Sequence, residues 1–156
     1  MGEADTPLAP AADANVYTAD THALLWHLQE RFAPRSRRRG RGLSQRARRI
    51  FAAADAGRET VLIPTIVLVE LVYLSERGII PGLLVDGLLS DLGRGAENYR
   101  VAPLDLEVVN RLRDVPATSV PEMPDRIIAA TAKATRSRLL SRDEALGKAV
   151  GVQVVW

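Results

Sequence analysis

The sequence predicts an α/β fold with three layers, a central parallel sheet of four to five short strands flanked by helices. Three observations lead there. Short apolar runs (NVYTA, TVLI, YRVAPL, RLLS, VQVVW) alternate with longer segments of helical spacing. Parallel neighbours need crossover connections, and the helical segments supply them. The chain has 156 residues, 47% of them hydrophobic, which suits one domain with a real core.

In chain order, residues 1–14 (MGEADTPLAPAADA) are rich in alanine and proline and carry acids but no basic residue. They have neither the basic front nor the apolar middle of a secretion signal, and read as a flexible tail ahead of a domain spanning 15–156. NVYTA is the first strand, and THALLWHLQERF is a helix whose Ala23, Leu24, Trp26 and Leu28 partly follow one stripe. An Arg-rich loop, 34–43, separates it from the helix SQRARRIFAAADAG, with Ser44 as N-cap and Gly57 as stop. TVLI is a buried strand, and Pro64 suits the first turn of an unusually apolar helix over 65–77, closed by Gly78. PGLLVDGLLSDLG is the next helix, with Pro81 at its front and Gly93 at its end, and YRVAPL a third strand. Residues 105–113 read as helix, VPATSVPEMP as loop, and a helix starts near Pro124. RLLS (strand), DEALGKAV (helix) and VQVVW (strand) complete the chain.

Composition excludes several chemistries. There is no cysteine, hence no disulfide, thiolate zinc site or cysteine nucleophile, a pattern that fits reducing cytoplasm. The most apolar stretch, Val61 to Leu74, is too short for a membrane span and contains Pro64 and Glu70. The net charge of +2 conceals an asymmetry: residues 31–49 hold nine arginines and no acid, leaving 12 basic against 19 acidic residues elsewhere. Such a strip can hold a polyanion or can simply be solvated, and PRSRRRGRG carries no aromatic to stack a base. Arg37, Arg38, Arg39 and Arg41 are the candidate RNA contacts. His22 and His27 are five apart on one helix, the wrong spacing for two metal ligands on one face, and read as ordinary surface or core residues.

Four acids carry the functional signal. Asp20 follows the first strand, Asp125 stands at the mouth of an alanine-rich helix in MPDRIIAATA, and Asp143 follows RLLS. Each taken alone reads as a helix cap, and SRDE (Ser141 to Glu144) even matches a capping box. Glu70, inside IPTIVLVELVYL, is harder to place, because this helix reads as lined by core all round and acids are almost never buried without a partner. Its structural alternative is a buried pair with an arginine. In an open parallel sheet, residues just past the strand ends share one edge. Carboxylates brought together there repel, by about 4 kcal/mol per pair at ~4 Å and an effective dielectric of 20. A hard divalent cation, Mg²⁺ or Mn²⁺, resolves that conflict with oxygen donors alone, whereas zinc would want histidine or cysteine.

ADTHALLWHL, IPTIVLVELVYLSERG, MPDRIIAATA and LLSRDEAL resemble, in this order and spacing, the PIN-domain ribonucleases, and among them the VapC-type toxins of bacterial toxin–antitoxin pairs. The resemblance runs from about residue 16 to the final VVW. It implies that Asp20, Glu70, Asp125 and Asp143 are catalytic metal ligands, Asp143 being the fourth member. Ser141 would be the strand-end hydroxyl that orients Asp143 and a bound water, with Thr21 a further hydrogen-bonding candidate. Arg126 and the alanine-rich helix would hold Asp125 in place. It further implies Mg²⁺- or Mn²⁺-dependent endoribonuclease activity in the cytoplasm, a homodimer, and neutralisation by a small antitoxin protein. Against the usual pattern, the first strand carries Thr18 and Ala19 where larger aliphatic residues are common. Two other classes stay open. One is a catalytically silent PIN-like module binding RNA or protein through its arginines. The other is a phosphotransfer protein, for which DTH puts His22 where a second acid is wanted.

Overall fold

Five parallel strands in the order β3-β2-β1-β4-β5 form the sheet of the computed structural model, which describes residues 15–32, 42–96, 98–148 and 151–156. The elements run β1 (Val16–Ala19), α1 (Thr21–Phe32), α2 (Gln45–Asp55), β2 (Thr60–Pro64), α3 (Thr65–Glu76), α4 (Gly82–Gly93), β3 (Tyr99–Ala102), α5 (Leu106–Leu112), α6 (Met123–Ala134), β4 (Arg138–Leu140), α7 (Glu144–Lys148) and β5 (Val154–Val155). The tail 1–14 and most of the Arg-rich loop lie outside the described residues; of the loop, Gly42 and Leu43 are described, and Leu43 is buried.

Tyr17, Thr18 and Ala19 are all buried. Successive strand residues face opposite sides, so helices cover both faces of the sheet at its central strand. Phe51, Leu24, Ile63, Leu71, Ile128, Leu139 and Leu140 are among the largest fully buried side chains. Thr18 is tolerated in β1 because its hydroxyl pairs with Ser137 Oγ at 2.5 Å, and Ser137 in turn meets Thr135 Oγ1 at 2.9 Å. A buried hydroxyl with a partner avoids the cost of an unmade hydrogen bond.

Two expectations for the central helix need correction. Pro64 is not in the first turn of α3; it is the last residue of β2, with ψ 140°, paired beside Ala102 of β3. Nor is α3 lined by core all round. It buries Val67 and Leu71, one i,i+4 stripe, while Val69 and Tyr73 are each more than half exposed and Glu70 is half-buried.

The chain leaves β1 for β2 and β3 on one side, then returns to β4 and β5 on the other. The carboxyl ends of β1 and β4 therefore flank a topological switch point, where crevices open in such sheets. No helix among the described residues is long and apolar enough to cross a membrane.

Candidate active site at the switch point

Strand register sets out the first part of the site. Ala19 lies beside Leu140, and Leu140 beside Val155. The next residues, Asp20, Ser141 and Trp156, consequently come off the sheet edge in one row. Asp20 is 8% exposed, and its Oδ1 accepts the Ala23 N–H at 2.7 Å, which caps the start of α1. The cap is real, but it employs only one carboxylate oxygen. Burial pushes the Asp20 carboxyl above its ordinary value and nearby Asp143 adds to this, while the hydrogen bonds from Ser141 and Ala23 and the neighbouring His22 pull it down.

Ser141 is fully buried, and its Oγ accepts the Asp143 N–H at 3.0 Å. One hydroxyl thus links Asp20 to the backbone of Asp143. The capping-box reading of SRDE does not hold: Asp143, not Ser141, directly precedes α7. From α3, Glu70 Oε1 accepts the Thr21 hydroxyl at 2.6 Å. The anticipated alternative, a buried pair with arginine, is absent among the described residues.

Asp125 is in the first turn of α6, but the N-cap is Glu122, so the cap reading of Asp125 fails. Arg126 fixes that turn, its Nε donating to Val115 O at 3.0 Å and an Nη to Leu112 O at 3.4 Å, at and beyond the end of α5. Burial raises the Asp125 carboxyl above its ordinary value, followed by repulsion from Asp143, Glu70, Asp20 and Glu122. Asp125 is thus within electrostatic reach of each of the other three predicted acids, and Asp20 is within reach of Asp143 as well. No arginine or lysine among the described residues is ion-paired with Asp20, Glu70 or Asp125.

The donors are carboxylates backed by hydroxyls, an all-oxygen set of the kind hard divalent cations take. Among the described residues, no three acidic or histidine side chains stand close enough to enclose an ion as they lie. Arg37, Arg38, Arg39 and Arg41 lie outside the described residues. The described part of the basic strip sits far from the acids: Arg48 grips Glu30 at 2.8 Å, and Glu30 is ten residues along α1 from Asp20, about 15 Å at the helical rise.

His27, read from the sequence as an ordinary surface or core residue, is half-buried and stacked on Phe51 with ring centroids 4.1 Å apart. Two neighbours of the acids had no assignment from sequence. Arg142 is exposed in the β4–α7 loop and ion-paired to nothing among the described residues, and Trp156 occupies the third place in the edge row. Counting one residue past each strand would have found Trp156, had the strand order been known.

The PIN domain family model matches residues 17–151. No curated protein matches the chain. Solved structures do: VapBC2 from Rickettsia felis bound to a DNA fragment from their promoter (13% identity, TM-score 0.62, covering 90% of this chain and 97% of that one). DNA-bound VapBC from Salmonella typhimurium is similar at 15% identity and TM-score 0.61, with 90% and 97% covered. A toxin–antitoxin complex from Klebsiella pneumoniae is similar at 18% identity and TM-score 0.55, with 90% and 96% covered. At such identities the likeness speaks for the fold, and with a family model matched over most of its length, the chain belongs to the PIN domain family.

Proposed function

We propose that this protein is a VapC-type toxin, a Mg²⁺- or Mn²⁺-dependent endoribonuclease neutralised by a cognate antitoxin. The observation that carries the reading is the gathering of acids at the switch point: Asp20 and Asp143 are joined through Ser141, Glu70 reaches Thr21 next to Asp20, and Asp125 is repelled by all three, while Asp20, Glu70 and Asp125 lack any guanidinium or ammonium partner among the described residues. Four carboxylates so arranged cost stability unless a cation joins them. Membership of a family whose members are generally nucleases supports the reaction class. The resemblance in fold to VapBC and toxin–antitoxin complexes supports the antitoxin.

Asp20, Glu70, Asp125 and Asp143 would hold the metal, which when bound supplies Lewis-acid polarisation of a phosphodiester and a more acidic water. The remaining work belongs to the chain's own groups. Ser141 holds the Asp20 carboxylate and the Asp143 backbone in one frame, Thr21 turns Glu70 towards the mouth of α1, and Arg126 anchors the turn that carries Asp125. The Arg-rich strip, Arg37, Arg38, Arg39 and Arg41 included, would attract the RNA backbone from a distance, an effect that weakens steeply with salt. Val69 and Tyr73 form an exposed apolar stripe on α3, suited to a second copy of the chain in a homodimer.

Purified protein is expected to cleave RNA with Mg²⁺ or Mn²⁺ and to stop when chelator is added. Asp20→Asn and Asp125→Asn should each abolish cleavage while circular dichroism stays native. Cleavage retained by both variants would refute the site. The second reading, a silent RNA- or protein-binding module, is favoured by the lack of any three acids close enough to enclose an ion among the described residues. It requires RNA binding that survives Asp125→Asn and fails when Arg37, Arg38 and Arg39 are neutralised together.

A further inference from the structure

Both tryptophans of the chain, Trp26 and Trp156, meet in one aromatic cluster beside the acids. Their ring centroids are 5.7 Å apart in an edge-to-face arrangement, and the His22 ring lies 5.6 Å from Trp26. His22 is exposed and the two indoles are partly buried, resting on the core but open to solvent on one side. The cluster belongs to the site's edge by construction. His22 is two residues beyond Asp20 on α1, and Trp156 is level with Asp20 and Ser141 in the row fixed by the β1–β4–β5 register. Two strand spacings put the Trp156 backbone about 10 Å from that of Asp20. Exposed Arg142, in the loop between Ser141 and Asp143, adds a cation at the same edge.

We infer that the His22–Trp26–Trp156 cluster is a stacking platform for an unpaired base of single-stranded RNA next to the phosphodiester that a metal ion on the acids would hold. Aromatic faces bind bases only when these are splayed from a helix, whereas a duplex offers its backbone and keeps its bases stacked internally. The basic strip cannot supply this selection, since PRSRRRGRG has no aromatic residue. The platform would therefore make the enzyme choose loops and single strands, with Arg142 meeting a flanking phosphate. This rests on the ribonuclease reading given above, and the experiment separates the two.

Because the chain has no other tryptophan, its indole emission reports on this cluster alone. Whole protein in excess chelator is titrated with a ten-nucleotide oligoadenylate and, separately, with the same strand annealed to oligouridylate. Saturable quenching by the single strand, weak or absent with the duplex at equal phosphate, is the expected result. Trp156→Leu should lose about five- to hundredfold in affinity for the single strand, the range of one base–aromatic stack. Trp156→Phe should restore most of it. With Mn²⁺ present, the Trp156→Leu defect should fall mainly in KM. If Trp156→Leu does not fold, His22→Ala at an exposed position tests the same platform, with a smaller loss expected. Equal quenching by duplex and single strand, or equal binding by the Leu and Phe variants, overturns the inference. So does emission that ignores RNA but responds to a co-expressed partner protein, which would make the cluster a protein interface. Failure of wild-type protein to cleave RNA under any divalent cation would sink the ribonuclease reading instead, and leaves the emission test standing.

Discussion

Two groups of polar residues sit at opposite ends of α1, and they handle charge in opposite ways. At its far end, Asp55 accepts the Tyr99 hydroxyl at 2.6 Å, Glu30 is gripped by Arg48, and His27 is stacked on Phe51 with its Nε2 3.3 Å from the Tyr99 hydroxyl. Burial beside Asp55 raises the Tyr99 hydroxyl well above its ordinary value, so it remains a donor at any working pH. At the near end, Asp125 is repelled by Asp143, Glu70 and Asp20, and none of Asp20, Glu70 and Asp125 is ion-paired with an arginine or lysine among the described residues. A chain that completes its polar contacts in one place and leaves repulsion standing in another sets apart groups that serve the fold from those proposed above to serve chemistry.

That contrast breaks most visibly at Asp125. Asp125→Asn is expected to remove activity yet, in chelator at neutral pH, to melt no lower than wild type. The sign follows from its raised carboxyl: the folded state holds that proton more tightly than the unfolded chain, so the group favours folding at acid pH and loses this as pH rises through the raised value. A variant melting several degrees lower would show that Asp125 serves the fold after all. Ser141→Ala should follow, with a 10–100-fold loss of activity, the usual scale for a group that orients metal ligands. Activity within twofold of wild type would remove Ser141 from the site.

Tyr99→Phe should behave in the reverse manner. Losing the bond to Asp55 is expected to cost about 0.5–1.5 kcal/mol in urea melts while kcat at saturating RNA stays within twofold. The smallest effect is a difference in pH slope. Burial depresses the His27 imidazole below its ordinary 6.5, against a smaller opposing pull from Asp55. Its contribution to stability is whole above that value and is lost as pH falls through it towards the depressed one. Wild type should therefore lose part of its stability between pH 7 and 5 that His27→Phe, which keeps a ring on Phe51, does not lose. Parallel curves for the two proteins would dismiss His27 as the cause.

Local patterns were enough to read most of the elements. THALLWHLQERF is α1 residue for residue, Ser44 caps α2 through a 3.0 Å bond to the Ala47 N–H, and the alternating order of strands and helices implied the parallel sheet. The place of Asp20 just past β1 and of Asp143 two residues beyond Ser141 was legible for the same reason, since residues following strands collect at one edge. Glu70 and Asp125, by contrast, lie within α3 and α6 and were singled out by their surroundings in the sequence and by resemblance. What failed depended on tertiary surroundings. The hydropathy of α3 suggested burial on every side, but it cannot distinguish a core helix from one that shows Val69 and Tyr73 to solvent. Pro64 has a torsion suited to either strand end or helix start, and pairing with Ala102 decided for the strand. The place of Trp156 depended on strand order, which no stretch of its own neighbours encodes.

The edge row is also a gradient of mechanical security. β1 is flanked on both sides, β4 has three residues, and β5 is two residues long with one neighbour, held by the Leu139 N–H to Gln153 O and the Ser141 N–H to Val155 O. Amides along that row should exchange with deuterium fastest at the outermost strand and slowest at the centre. A molecule built this way can let its aromatic margin loosen while the central strand that leads into Asp20 stays put.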